Sequence, residues 1–224
     1  MKKIILLFII SMSLNVYAQK ELKEGVLTMK MTMSTDNEQA KAAFAMIGDI
    51  SITTYFKGQK SRTEQNHQMT GSQTSIVNTE SNKTLLLMDN PMLGKKYMIQ
   101  EIKKTDEELK NVTVTSNGET KNILDYQCKG YDIVTKQNGQ ELKMKMFVTD
   151  KILAQEQYSS MLGGKLKGFP MYMVITTNQP GMGNMDITMV VTELKDEKVA
   201  DSKFDMTIPE GYTIMEMPKP ADID

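Results

Sequence analysis

What most constrains this chain is an alternation of apolar and polar residues that recurs along most of its length. It is cleanest in residues 24–34, EGVLTMKMTMS, where Leu27, Met29, Met31 and Met33 share one parity and Thr28, Lys30 and Thr32 the other. Successive side chains of an extended chain point to opposite faces. A period of two with one apolar parity is therefore a strand half-buried in a sheet. The pattern returns at Leu142, Met144, Met146 and Val148, at Phe169, Met171, Met173 and Ile175, and at Met185, Ile187, Met189 and Val191. Between 50 and 103 the chain reads as a meander, with strands at 50–57, 72–79, 83–88 and 95–103 and turns at Gly58-Gln59, Ser81-Asn82 and Asp89-Asn90-Pro91. Turns at such short spacing mark an all-β sheet or barrel.

The period changes to that of a helix in two places. Ala40, Ala43, Phe44 and Ile47 fall at i, i+3, i+4, i+7 behind a capping box of Thr35 and Glu38, which predicts a short amphipathic helix over 36–47 that stops at Gly48. Thr105 and Glu108 form a second box, predicting one turn at 106–110. The stretch 123–150 reads as two strands joined at Asn138-Gly139, with a bulge at Lys129-Gly130 that would bring Tyr126, Cys128, Tyr131 and Ile133 to one face. Asn117-Gly118 reads as a turn before it, and Pro170 predicts an edge position or a bulge. Residues 151–164 lose the alternation and read as a loop or short helix.

Residues 1–18 read as a signal peptide: Lys2 and Lys3, an apolar run at 4–14, and Val16-Tyr17-Ala18 before cleavage at Gln19. A retained signal anchor is the alternative. Residues 19–217 then form one domain and 218–224 a polar tail. Without Lys2 and Lys3 the chain carries 25 basic and 28 acidic groups, a net charge near −3, which gives no electrostatic support to nucleic-acid binding. No other segment is apolar for long enough to span a bilayer, so an integral membrane protein is not expected. Asn82-Lys-Thr and Asn111-Val-Thr are glycosylation sequons only in a compartment that reads them.

Motifs for chemistry are sparse. The single His67 and single Cys128 are the only prospective nucleophile and base pair, and a buried apolar Cys with an exposed His is the plainer reading. Nucleophile-elbow, Walker and dinucleotide glycine patterns are absent. No enzyme activity and no cofactor are expected. The chain has 21 Met and no Trp. Met29-x-Met31-x-Met33, Met144-x-Met146, Met171-x-Met173 and Met215-x-Met217 have the thioether character that favours Cu(I), and Met182-x-x-Met185 falls in a loop. Strand alternation with Met on the inward face produces the same spacing. Met is unbranched and polarizable, and suits a surface that accepts varied apolar shapes.

The run TKNILDYQCKGY (120–131) resembles a recurrent motif, roughly Ile-x-Gly-Tyr-x-Cys-x-x-Tyr, in a family of unknown function among exported proteins of Bacteroidetes; here Asp125 stands where Gly is usual. The resemblance extends more loosely from Gly25 to about Tyr212, and FDMTIPEGY (204–212) looks like the closing strand of carrier-like proteins. That family is distantly similar to the lipoprotein carriers LolA and LolB. The resemblance implies a mainly β (α+β) fold: a single strongly curved antiparallel sheet, a half-open barrel, with short helices covering the concave face. It also implies a cavity for the acyl chain of a lipid or lipoprotein, in the periplasm or outside the cell. Arg62 sits where the carriers place an arginine that ties the helical lid. The expected lining is Met29, Met31, Met33, Leu85, Leu87, Met144, Met146, Met173 and Met189, with helix 36–47 as a lid whose Phe44 and Ile47 meet the ligand. A Cu(I)-binding envelope protein, a module with a filled core and no ligand, and a hydrolase are the other readings.

Overall fold

A computed structural model describes residues 21–102, 109–137, 140–154, 162, 164–179 and 183–215. The expected signal peptide, 105–108 box, Asn138-Gly139 turn and 218–224 tail, with Tyr158, Met161 and Met182, lie outside them. The strands are β1 (Glu24–Thr35), β2 (Ile50–Lys57), β3 (Lys60–His67), β4 (Gly71–Asn78), β5 (Lys83–Asn90), β6 (Gly94–Glu101), β7 (Val112–Ile123), β8 (Tyr126–Gln137), β9 (Gln140–Thr149), β10 (Phe169–Gln179), β11 (Gly183–Lys195) and β12 (Thr213–Ile214). Among the described residues a helix, α1 (Glu38–Ile47), and a short 3-10 turn at Asp201–Phe204 accompany them.

All twelve strands form one open sheet in the order β12-β6-β5-β4-β3-β2-β1-β11-β10-β9-β8-β7. The first strand is therefore central. From it a meander runs outward through β2 to β6. The chain then crosses to the far edge and a second meander returns from β7 to β11. The two meanders meet where β1 pairs with β11, from Val26↔Lys195 to Thr35↔Met185. Pairing is antiparallel throughout except for β12, which lies parallel to β6 through Thr213↔Lys96 and Ile214↔Tyr97.

Where irregularity was predicted, the structure places it differently. β8 pairs with β9 without a register shift through Gly130↔Phe147. The bulge lies on β7 instead, between Ser116 and Thr120. Asn117-Gly118 is thus not a turn between strands but the extra length within one strand. A Cβ on Gly130 would displace the Asn117 side chain, whose Oδ1 occupies that space. Pro170 does sit beside a bulge, between Pro170 and Tyr172, although β10 is an interior strand. The segment 204–208, expected as a strand, holds only the end of the 3-10 turn and extended chain; the short closing strand is β12.

The main core gathers Leu27, Met29, Ile52, Met144, Met146, Met173, Met189 and Val191 with Leu22, Ile152, Ala154, Leu162 and Leu166 from outside the strands. Each such side chain contributes about 1.5–3 kcal/mol when buried. A smaller cluster, Ile76, Leu85 and Leu87, packs with Tyr97, Met206, Ile208 and Tyr212.

Candidate functional site: a methionine-rich sheet face

Directly opposed residues in a sheet share a face, so the register identifies each surface. One lateral row runs Met31, Met189, Met173, Met146 and Tyr131 across β1, β11, β10, β9 and β8. The next runs Met33, Ile187, Ile175, Met144, Ile133 and Val114. Met29 opposes Val191 on one side and Ile52 on the other. Seven of the residues expected to line a cavity therefore share one continuous face: Met29, Met31, Met33, Met144, Met146, Met173 and Met189.

Burial along that face is graded. Met173 is 0 % exposed, Met146 1 %, and Met29 and Met189 3 %. Toward the C-terminal end of β1, Met31, Met33, Ile175, Ile187, Leu142 and Val114 are only half-buried, while still packed against the core. At that end α1 closes over β1. Its N-cap is Asn37, whose Oδ1 accepts from the Gln39 and Ala40 amides at 2.9 and 3.1 Å, while the Thr35 hydroxyl accepts from the Asn37 amide. The cap thus lies two residues beyond the predicted Thr35. None of the α1 residues is fully buried. Ile47 packs on the core, and Phe44 lines a crevice of about 320 Å³ with Met33, Thr35, Lys41, Ala45 and Asp49. The helix covers the end of the face rather than its middle.

Three expected residues lie elsewhere. Tracing Met29↔Ile52↔Gln65↔Gln73↔Met88 puts Met88 on the methionine face. Leu85 and Leu87 have the other parity and belong to the opposite surface. Arg62 opposes Tyr55 and Ile76 on that same opposite surface. Its Nε donates to Glu64 Oε1 at 2.5 Å and its Nη1 to the Lys203 carbonyl at 3.4 Å. Arg62 therefore fastens the segment after β11 instead of tying a lid over the methionines.

His67 accepts from the Met69 amide at Nδ1, which leaves Nε2 to donate to the Ile47 carbonyl at 3.0 Å. Five strands separate it from Cys128, which is buried and whose thiol burial pushes up to about 11. Among the described residues no group of three or more His, Cys, Asp or Glu is placed to hold a metal ion. A cavity of about 530 Å³ was not anticipated from the sequence. It lies at the opposite end of the sheet, lined by Lys23, Gly58, Gln59, Ile152–Ala154, Gly164 and Leu166–Gly168.

The model of a domain of unknown function, DUF4412, matches residues 24–165, most of the length of the sheet. The chain belongs to the DUF4412 family. No curated protein matches it. Among solved structures, this DUF4412 protein is similar to a LolA superfamily protein from Nitrosomonas europaea, at a TM-score of 0.37 and 8 % identity over 84 % of this chain and 91 % of that one. It is also similar to the lipoprotein LppX of Mycobacterium tuberculosis, at a TM-score of 0.32 and 10 % identity over 89 % and 100 % of the two chains. Likenesses this loose set no residue-by-residue correspondence, so the DUF4412 site is read from its own side chains. No helix among the described residues is long and apolar enough to cross a membrane.

Proposed function

We propose that the protein is a non-enzymatic, exported binding protein whose methionine face holds the acyl chain of a lipid or lipoprotein, the sheet curving around it as a half-open barrel. The observation that carries this reading is the graded face itself. Two laterally continuous rows of Met and Ile run from fully buried to half-exposed toward the crevice between α1 and β1. A chain entering beside Phe44 meets Met33 and Ile187 first and the deeper methionines next. Each methylene taken from water contributes about 0.8 kcal/mol. Unbranched thioethers repack around an irregular guest at low cost.

The test is native mass spectrometry of the protein purified from its own host, followed by titration with a fluorescent fatty acid while the methionine methyl groups are watched by NMR. The expected result is a bound lipid mass and shifts at Met31 and Met33. A bare polypeptide that also ignores the fatty acid overturns the reading. A copper adduct lost on chelation replaces it with a thioether metal site.

A further inference from the structure

The cavity of about 530 Å³ lies at the N-terminal end of β1, where the Gly58-Gln59 turn meets the described chain between β9 and β10. It shares no residue with the crevice under α1. The twelve residues of β1 separate the two ends by roughly 36 Å at 3.3 Å per residue. Its volume is that of a small-molecule pocket. One wall is apolar: Ile152, Ala154 and Leu166 are at least nine-tenths buried, and Leu153 is 37 % exposed. That wall is fixed to the sheet by a parallel bridge between Leu22 and Ile152, in which the Leu22 amide donates to Lys151 at 2.7 Å and the Leu153 amide to Leu22 at 2.9 Å. Part of the remaining lining is bare glycine backbone. Gly58 and Gly164 have φ of +56° and +75°, and a Cβ on either would meet nothing within 4 Å.

Among the described residues the charge at this cavity is one-sided: Lys23 and Lys167 are the charged residues of its lining. Glu21 lies 3.2 Å from the Lys23 ammonium, but both side chains are largely in water, at 49 % and 71 % exposure, so the pair is weak and exchangeable. An apolar wall with two ammonium groups, and no carboxylate among the described lining residues, favours an amphiphile with an anionic head.

We propose that this cavity is a second binding site, specific for a single-chain anionic amphiphile whose tail lies on Leu153, Ala154 and Leu166, backed by Ile152, and whose acid group pairs with Lys23 and Lys167. It stands apart from the methionine face and does not depend on it. A carboxylate displaces Glu21 from Lys23 and gains Lys167, while the tail removes Leu153 from water.

The test uses the full mature chain with decanoate and with 1-decanol, which have the same tail and differ in charge. The expected result is decanoate binding about fivefold to tenfold tighter than decanol, as two exposed ion pairs allow. The double variant Lys23→Gln, Lys167→Gln should lose that preference while keeping its affinity for decanol. Ala154→Phe, checked for native circular dichroism, should lose both. Equal binding of the two probes, no binding, or a preference that survives the lysine variant overturns the proposal. Methyl NMR separates the two sites. Decanoate shifts confined to Ile152, Leu153 and Leu166 support the cavity whatever becomes of the methionine reading. Shifts confined to Met31 and Met33 overturn the cavity and leave that reading standing.

Discussion

Cys128 illustrates how an environment decides what a side chain does. It sits at 0 % exposure, with its Sγ 3.5 Å from the Tyr126 carbonyl, and burial raises its thiol from 9.0 to about 11. Two consequences follow. At pH 8 the thiolate fraction falls about a hundredfold below that of a free cysteine, so a thiol reagent should modify native protein at least that much more slowly than unfolded protein. Because the folded pKa lies above the unfolded one, the stabilisation is complete below the unfolded value and is lost as pH rises through the folded value. Denaturation midpoints should therefore decline between pH 9 and about 11, and Cys128→Ala should flatten that decline. The apolar character of this cysteine was legible in the sequence, because nothing near it offers activation. The helix cap was less so. Thr35, Asp36 and Asn37 all have capping side chains, and only the backbone of the finished turn decides that Asn37 takes the role while Thr35 supports it.

At the scale of elements, the segment from 196 to 215 is the least expected part of the fold. It crosses the surface opposite the methionines and is held at three places. The Val199 amide donates to Glu24 Oε1 at 2.9 Å and Lys57 reaches Asp201 at 2.9 Å. Lys203 lies 3.9 Å from the Tyr55 ring and its carbonyl accepts from Arg62. Met206, Ile208 and Tyr212 then cover Ile76, Leu85 and Leu87. Glu24 is held below its usual range chiefly by the Val199 amide, and Asp201 by its hydrogen bond from Lys57. Depressed carboxylates stabilise above their unfolded pKa values and lose that contribution as pH falls through the folded ones. Acidification below about pH 4 should thus lower hydrogen-exchange protection at Val199 before it touches β9 or β10. Glu24→Gln with Asp201→Asn should remove that pH response. The apolar run Lys83–Met88 hid this arrangement. Leu85 to Met88 are apolar at every position and show no alternation, so the sequence does not tell which parity is buried, although only Leu85 and Leu87 are. Leu85 and Leu87 became legible only once β3, β4 and β5 were in register. Likewise Asn-Gly suits a hairpin turn and an in-strand bulge alike, and the neighbouring strand chooses between them.

For the whole molecule, alternation read locally gave each strand but not its neighbour. Nothing in residues 24–35 states that their second partner is 160 residues away, because pairing order follows from closure of the whole sheet. That order makes β11 the only described strand joining the two meanders. A chain ending at residue 182 keeps ten of the twelve strands yet loses this seam. It should unfold without a single cooperative transition and bind a dye for exposed apolar surface, where the full chain shows one sharp transition. Folding of the full chain should be slow for its size, since the central pairing is also the longest-range one.

The same central placement of β1 matters while the chain is being made. Synthesis proceeds from the N-terminus at about 5–20 residues per second, so β1 leaves the ribosome some ten to thirty seconds before β11 exists. During that time Met29, Met31 and Met33 border an open strand edge, with only β2 alongside. A nascent chain of this design should need holding in an unfolded state until its last long strand is complete, and a holdase chaperone would meet it first at residues 24–35.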